Sequence, residues 1–70
     1  MADVPAHITG TVWKIETKVG AAVKAGDVLV ILESMKMEMP VEAPEDGTVK
    51  EIRCKETQAV NEGDVLVVLG

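Results

Sequence analysis

With 70 residues, a formal net charge of −5 and twelve valines against one aromatic residue, Trp13, the chain has the composition of one small domain with an aliphatic core. β-branched side chains pack well on a pleated sheet, so this composition favours strands over helices. The lack of aromatic rings and the excess of acids exclude a nucleic-acid surface built on base stacking or on phosphate contacts.

The residue types that build catalytic and metal sites are scarce. Cys54 is the only cysteine and His7 the only histidine, which excludes an internal disulfide and a zinc site made of cysteines or of several histidines. The sequence has no Gly-rich phosphate loop and no nucleophile–base pair, and it is too short to enclose a substrate. It also lacks a long apolar run and a signal-like start. We therefore expect a single domain over residues 1–70 that is neither an enzyme nor a membrane protein.

The first elements predicted along the chain are short strands. Residues 11–16 are rich in β-formers and follow Gly10, and a very short strand, residues 22–23, comes next. A turn signal at residues 24–27 then precedes residues 28–32, a continuous apolar run. A run of this length and composition is typical of a strand covered on both faces.

The next segment, residues 33–40, has the sequence Glu-Ser-Met-Lys-Met-Glu-Met-Pro. The helix propensities of Glu, Met and Lys favour a helical turn that ends at the proline. However, the segment follows a strand with no breaker between them, and its methionines alternate with polar residues at a period of two. We therefore predict a tight β-hairpin with Lys36 at or beside its tip. The turn type stays open, because no Asn-Gly or Gly-X signal is present.

Residues 41–69 repeat residues 4–32 without a gap, and 15 of the 29 aligned pairs are identical, too many to arise by chance. Two copies are too few for a solenoid, so we predict that the halves pack on each other with quasi-two-fold symmetry. The expected architecture is a flattened β-barrel or a sandwich of two sheets, with one sheet dominated by each half. Residues 33–40 join the two copies, and the only segments at the equivalent position of the other half are the chain ends. This break in the symmetry makes residues 33–40 the first place to look for function.

Lys36 is framed by methionines, and three of the four methionines lie in this one segment. Methionine is adaptable and is common at surfaces that meet several partners. Most surface lysines are simply solvated, and core filling is the alternative for Met39 and for Met35. The residue types alone support a solvated lysine and a contact or modification site equally.

The segment around Lys36 closely resembles the biotin attachment motif, which usually reads Glu-Ala-Met-Lys-Met. Two Gly-Thr-Val triplets, at residues 10–12 and 47–49, and two Gly-Asp turns are further marks of the biotin/lipoyl-attachment family. The chain is similar to a biotinyl domain of that family from about Pro5 to Leu69. The resemblance implies an all-β fold, a flattened barrel or sandwich of two four-stranded antiparallel sheets related by a quasi-dyad. It also implies an attachment lysine in a hairpin at one end, with the chain termini close together at the other.

On the matching positions, the resemblance implies that biotin is attached covalently to Lys36. Met35 and Met37 would be flanking recognition residues, and Glu33 and Ser34 would belong to the hairpin motif. Ser34 stands where the family usually has alanine. Since both residues are small, we expect recognition of the motif to be kept.

The resemblance also implies the partners. A biotin protein ligase would load the lysine, and a biotin carboxylase and a carboxyltransferase would use the loaded carrier, a monomeric domain with no metal. The absence of an insertion between Thr17 and Val23 resembles the thumbless type of carrier. A single cysteine suits a reducing compartment, so we expect the cytoplasm, or an organelle matrix if the domain belongs to a larger eukaryotic enzyme.

Two other functions share the expected fold. A lipoyl domain is the nearest, but lipoyl hairpins typically read Asp-Lys-Ala, and Met35 and Met37 argue against that motif. An unmodified adaptor module, like the lipoyl-like hairpins of efflux adaptors, would not need a lysine framed in this way.

Overall fold

The structure is a computed structural model that describes residues 2–70, and every regular element in that range is a β-strand. The strands, in chain order, are β1 (Ala2–Pro5), β2 (Gly10–Ile15), β3 (Ala22–Val23), β4 (Val28–Ser34), β5 (Met37–Glu42), β6 (Gly47–Ile52), β7 (Ala59–Val60) and β8 (Val65–Leu69). Within the described range there is no helix long and apolar enough to cross a membrane. The predicted all-β class is therefore confirmed.

The strands form two four-stranded sheets, with the orders β1-β8-β6-β3 and β5-β4-β2-β7. Every strand pairing is antiparallel. The two sheets remain separate, so the architecture is a sandwich and not a closed barrel. Each sheet takes its two central strands from one half of the repeat and its two edge strands from the other. The prediction that one half dominates each sheet thus holds for the central strands only.

The pairing register shows the quasi-two-fold symmetry directly. Val4 pairs with Val67, and the corresponding pair in the other half is Val41 with Val30. Likewise, Ala2 pairs with Leu69, and this pair is equivalent, through the repeat, to a pair inside the β4–β5 hairpin. The ends of the described chain are therefore neighbours, and they occupy the position that corresponds to the hairpin, as the resemblance implied.

The buried side chains come from both halves and form one core between the sheets. Its members are Val4, Ala6, Val12, Val23, Leu29, Val30, Leu32, Val41, Ala43, Val49, Cys54, Val60, Leu66, Val67 and Leu69. Ten of the fifteen are valine or alanine, four are leucine and one is cysteine, so the core is aliphatic, as the composition predicted. Burial raises the pKa of the Cys54 thiol, which keeps this sulfur protonated and poorly nucleophilic.

The two Gly-Asp turns have the same construction. The backbone N–H of Lys24 donates to Asp27 Oδ2 at 2.9 Å, and that of Asn61 donates to Asp64 Oδ2 at 2.8 Å. The glycine before each aspartate has a left-handed backbone, with φ of 93° and 94°. Glycine adopts this conformation without steric cost, and the aspartate closes the turn with its side chain, which explains why both residues recur in the two copies.

Candidate functional site

The candidate site is the hairpin formed by β4 and β5. Ser34 pairs with Met37, and only Met35 and Lys36 connect the two strands. Both connecting residues have a left-handed backbone, with φ of 53° and 63°. Two central residues with positive φ are the mark of a type I′ turn, whose twist matches that of the flanking strands. The structure thus answers the question of turn type, and it confirms that Lys36 lies at the tip.

This turn goes against the local preferences of its own residues. A type I′ turn favours Asn-Gly, because a left-handed backbone costs a residue with a Cβ about 1–2 kcal/mol. Met35 and Lys36 adopt it because β4 and β5 continue below them as a paired ladder from Ser34–Met37 down to Val28–Glu42. Backbone strain that the surrounding structure maintains is common at functional sites, so this turn is a candidate site on its geometry alone.

The side chains at the tip are directed to solvent. Met35 is 91% exposed and Met37 58% exposed, and Lys36 is also exposed. Lower on the same strand, Met39 is half-buried. Core filling is therefore a partial explanation for Met39, and the alternative that Met35 fills the core is wrong. The lysine thus lies between two methionines whose exposed side chains are not explained by packing in the core.

Carboxylates flank the base of the tip. Glu33 and Glu38 are directly opposite each other in the β4–β5 ladder, and both are exposed. Like charges at directly opposed positions destabilise a strand pair. The ion pairs present in residues 2–70, Lys14–Glu16 and Arg53–Glu51, leave Lys36 and these two carboxylates unpaired. The sequence motif included Glu33, whereas Glu38 becomes its neighbour only once the register of the hairpin is known.

Gly10 positions the hairpin from the side. A Cβ built on this residue would lie 2.5 Å from the backbone oxygen of Glu33, so only glycine lets β2 approach the base of the hairpin this closely. The corresponding Gly47 has more room, since its Cβ would lie 3.3 Å from the backbone oxygen of Gly70. The repeat of the Gly-Thr-Val triplet was the sequence signal for Gly10, but its contact with the hairpin follows only from the strand pairing.

Replacing Gly10 with alanine should therefore destabilise the domain by about 1–3 kcal/mol, as other overpacked sites do. The matched substitution Gly47→Ala should stay within about 1 kcal/mol of the wild type, because its nearest backbone neighbour needs to move only a few tenths of an ångström. Urea unfolding of the two variants, followed by far-UV circular dichroism, gives both free energies. Equal losses at the two positions would contradict the proposed close approach.

Two surface grooves lie away from the tip. They have volumes of about 680 and 380 Å³, and neither is lined by any residue of the hairpin end, 33–38. The two grooves lie at equivalent positions in the two halves of the repeat. Ala21 lines the larger groove, and its equivalent, Gln58, lines the smaller one. Among residues 2–70, no three His, Cys, Asp or Glu side chains come together as metal ligands. The hairpin thus presents Lys36 on an exposed tip and does not enclose it.

Comparison with known proteins agrees with this geometry. The model of the biotin/lipoyl family, described as "Biotin-requiring enzyme", matches residues 1–69. The chain is 49% identical over 41 residues to the mitochondrial methylcrotonoyl-CoA carboxylase subunit alpha of Rattus norvegicus, covering 59% of this chain and 6% of the relative. It is 47% identical over 40 residues to the biotin/lipoyl attachment protein of Bacillus subtilis (strain 168), covering 57% of this chain and 55% of the relative.

A solved structure extends the likeness to the whole fold. The urea carboxylase of Kluyveromyces lactis superposes with a TM-score of 0.94 at 38% identity, over 99% of this chain and 6% of that one. The chain thus spans a small part of the large carboxylase chains that it matches, and just over half of the small attachment protein.

Proposed function

Because the chain belongs to the biotin/lipoyl-attachment family, we propose that it is a biotin carboxyl carrier domain with biotin attached covalently to Lys36. The observation that carries the proposal is the position of this lysine, exposed at the tip of a type I′ hairpin between two exposed methionines. The residues present fit the group. The ε-amine has no carboxylate partner in residues 2–70, and nothing in this part of the chain covers it.

The chain holds the lysine amine at an exposed tip, and a biotin protein ligase activates the reacting groups. The lysine ammonium must lose a proton before its Nζ can form an amide bond, and no carboxylate within residues 2–70 forms an ion pair with this nitrogen. The ligase must therefore supply a base and the activated carboxyl group of biotin. A tip of only two residues on a paired ladder can enter such an active site, and amide formation removes the positive charge of Lys36.

The flanking residues of the tip would be read by the ligase. Met35 and Met37 offer flexible apolar surface on both sides of the lysine, which a partner can cover without a fixed geometry. Glu33 offers a carboxylate beside the lysine, and the half-buried Ser34 closes the ladder below the turn. These roles follow from the family motif and from the exposure of the side chains.

In the loaded state, biotin supplies a ureido nitrogen that can carry a carboxyl group between active sites. This chain is then a carrier and not an enzyme, since its contribution is the high effective concentration of a tethered group. The partners are a biotin carboxylase, which loads the carboxyl group, and a carboxyltransferase, which passes it to an acceptor. We further propose a monomeric domain located in the cytoplasm, or in an organelle matrix if it belongs to a larger eukaryotic enzyme.

Labelled bicarbonate tests this function. The biotin-loaded chain is incubated with a biotin carboxylase, ATP and carbon-14 bicarbonate, once with and once without free avidin. The label on the protein is then counted in both reactions. We expect label that requires biotin, ATP and the carboxylase together. A chain that takes lipoate from a lipoate ligase, takes no biotin and gains no label would contradict the carboxyl carrier and support the lipoyl alternative.

The substitution Met35→Asn separates stability from recognition. Asparagine tolerates a left-handed backbone, so this variant should be more stable by about 0.5–1 kcal/mol. Its initial rate of biotin loading should fall at least about fivefold, because the apolar contact with the ligase is lost. Thr57 also has positive φ, at 72°, but lies outside the hairpin, which makes Thr57→Asn the matched control. This control should gain stability and load biotin at the wild-type rate, and a loss of loading in both variants would contradict the role of Met35.

A further inference from the structure

The tip of the hairpin carries the two most exposed sulfur-containing residues of the range 2–70. Met35 and Met37 are 91% and 58% exposed, whereas Met39 is half-buried and Cys54 is buried in the core. A thioether in solvent is open to oxidation to the sulfoxide, and the sulfoxide is returned to methionine by methionine sulfoxide reductases. The sulfurs that an oxidant reaches first are therefore those that bracket Lys36.

We propose that Met35 and Met37 form an oxidation-sensitive modification site, at which conversion to sulfoxide by a peroxide blocks the loading of Lys36. In this step the thioether sulfur attacks one oxygen of the peroxide, the O–O bond breaks and an S–O bond forms. Sulfur is oxidised by two electrons and the peroxide is reduced to water or to an alcohol. The inference rests on the proposed function, since loading of the lysine is the process that oxidation would block.

The effect is expected at the contact with the ligase and not in the fold. Oxidation changes a flexible apolar side chain into a polar one with a strong acceptor oxygen. Covering this oxygen in an apolar contact without a donor is unfavourable. The two exposed side chains contribute little to the core, so the free energy of unfolding should hardly change. A switch of this kind therefore leaves a folded carrier that is loaded much more slowly.

The other sulfurs within residues 2–70 do not compete. Burial keeps Cys54 away from the oxidant, and its raised pKa leaves little of the reactive thiolate. Met39 lies on the same strand as Met37 but is half-buried, which makes it an internal reference for slower oxidation.

The experiment treats the unloaded chain with hydrogen peroxide, assigns sulfoxides by peptide mass mapping, and then measures the initial rate of biotin transfer by the ligase. We expect the rate to fall about tenfold as Met35 and Met37 are oxidised, because one dipolar oxygen is placed in an apolar contact. Treatment with methionine sulfoxide reductases should restore the rate. The melting temperature should stay unchanged throughout.

Leucine variants show which methionine causes the loss of loading. For each variant, the rate of biotin transfer after peroxide treatment is divided by the rate of the same variant before treatment. The ratio should stay near one for Met35→Leu combined with Met37→Leu, and it should fall as in the wild type for Met39→Leu. A full rate with both tip methionines oxidised would overturn the proposal, and so would a loss that the reductases do not reverse. A chain that takes no biotin before peroxide treatment would instead overturn the proposed function.

Discussion

Replacing Lys36 with arginine is expected to abolish biotin loading completely while leaving the melting temperature unchanged. The guanidinium keeps the charge and the long stem, but it cannot be deprotonated in a protein and so offers no nucleophilic nitrogen. The fold should not respond, because the side chain at this position is exposed and makes no ion pair within residues 2–70. Incubation with ligase, biotin and ATP, followed by intact mass, shows whether one biotinyl group is added.

The control is another exposed lysine that lies outside the hairpin. Lys55 is exposed, and Lys55→Arg should be loaded to completion at the wild-type rate if the ligase selects the hairpin tip as proposed. The remaining lysines lie on strands or in the segments between them, without a methionine on each side. Biotin found on Lys36→Arg, at any position, would contradict the assignment of the attachment site.

Truncating one fully buried leucine is expected to remove a large part of the stability. Leu29 and Leu66 occupy equivalent positions in the two halves, and each is 0% exposed. Substitution of a buried leucine by alanine usually lowers the free energy of unfolding by about 2–5 kcal/mol. The whole free energy of unfolding of a native protein is only about 0.05–0.15 kcal/mol per residue. Either variant should melt at least about 10 °C below the wild type.

The two losses should also agree within about 1 kcal/mol, because the quasi-dyad places both leucines in one shared core. Calorimetry of Leu29→Ala and Leu66→Ala checks both statements, with Val19→Ala as the control at a 61% exposed position, where a change within about 0.5 kcal/mol is expected. A large loss in one half and a negligible loss in the other would show that the halves do not share a core.

The repeat in the sequence predicted much of this fold. Identical residues at equivalent positions indicated two similar halves, and their β-branched runs indicated the strands that the structure contains. The exchange of edge strands between the sheets could not be predicted. Each half has the same local preferences whether β1 pairs within its own half or with β8 of the other, and only packing of the complete chain decides between these pairings.

The hairpin shows where local preferences fail. The period-two pattern placed Lys36 at or beside a tip, and the structure confirms it. The turn type was not predictable, because Met35 and Lys36 are poor residues for a left-handed backbone and only the ladder below them stabilises it. The full exposure of Met35 follows from that turn, since residues in a two-residue turn no longer alternate between the faces of the sheet. The features hidden from the sequence are therefore those that make the lysine accessible.

Peptide mass mapping of the chain isolated from its native host is the most direct test of biotin attachment at Lys36. We expect a peptide containing Lys36 that carries one biotinyl group on the ε-amine, and a matching streptavidin signal from the intact protein. Lipoyl groups on this peptide, or an unmodified Lys36 in cells where other biotin-dependent proteins are loaded, would contradict it.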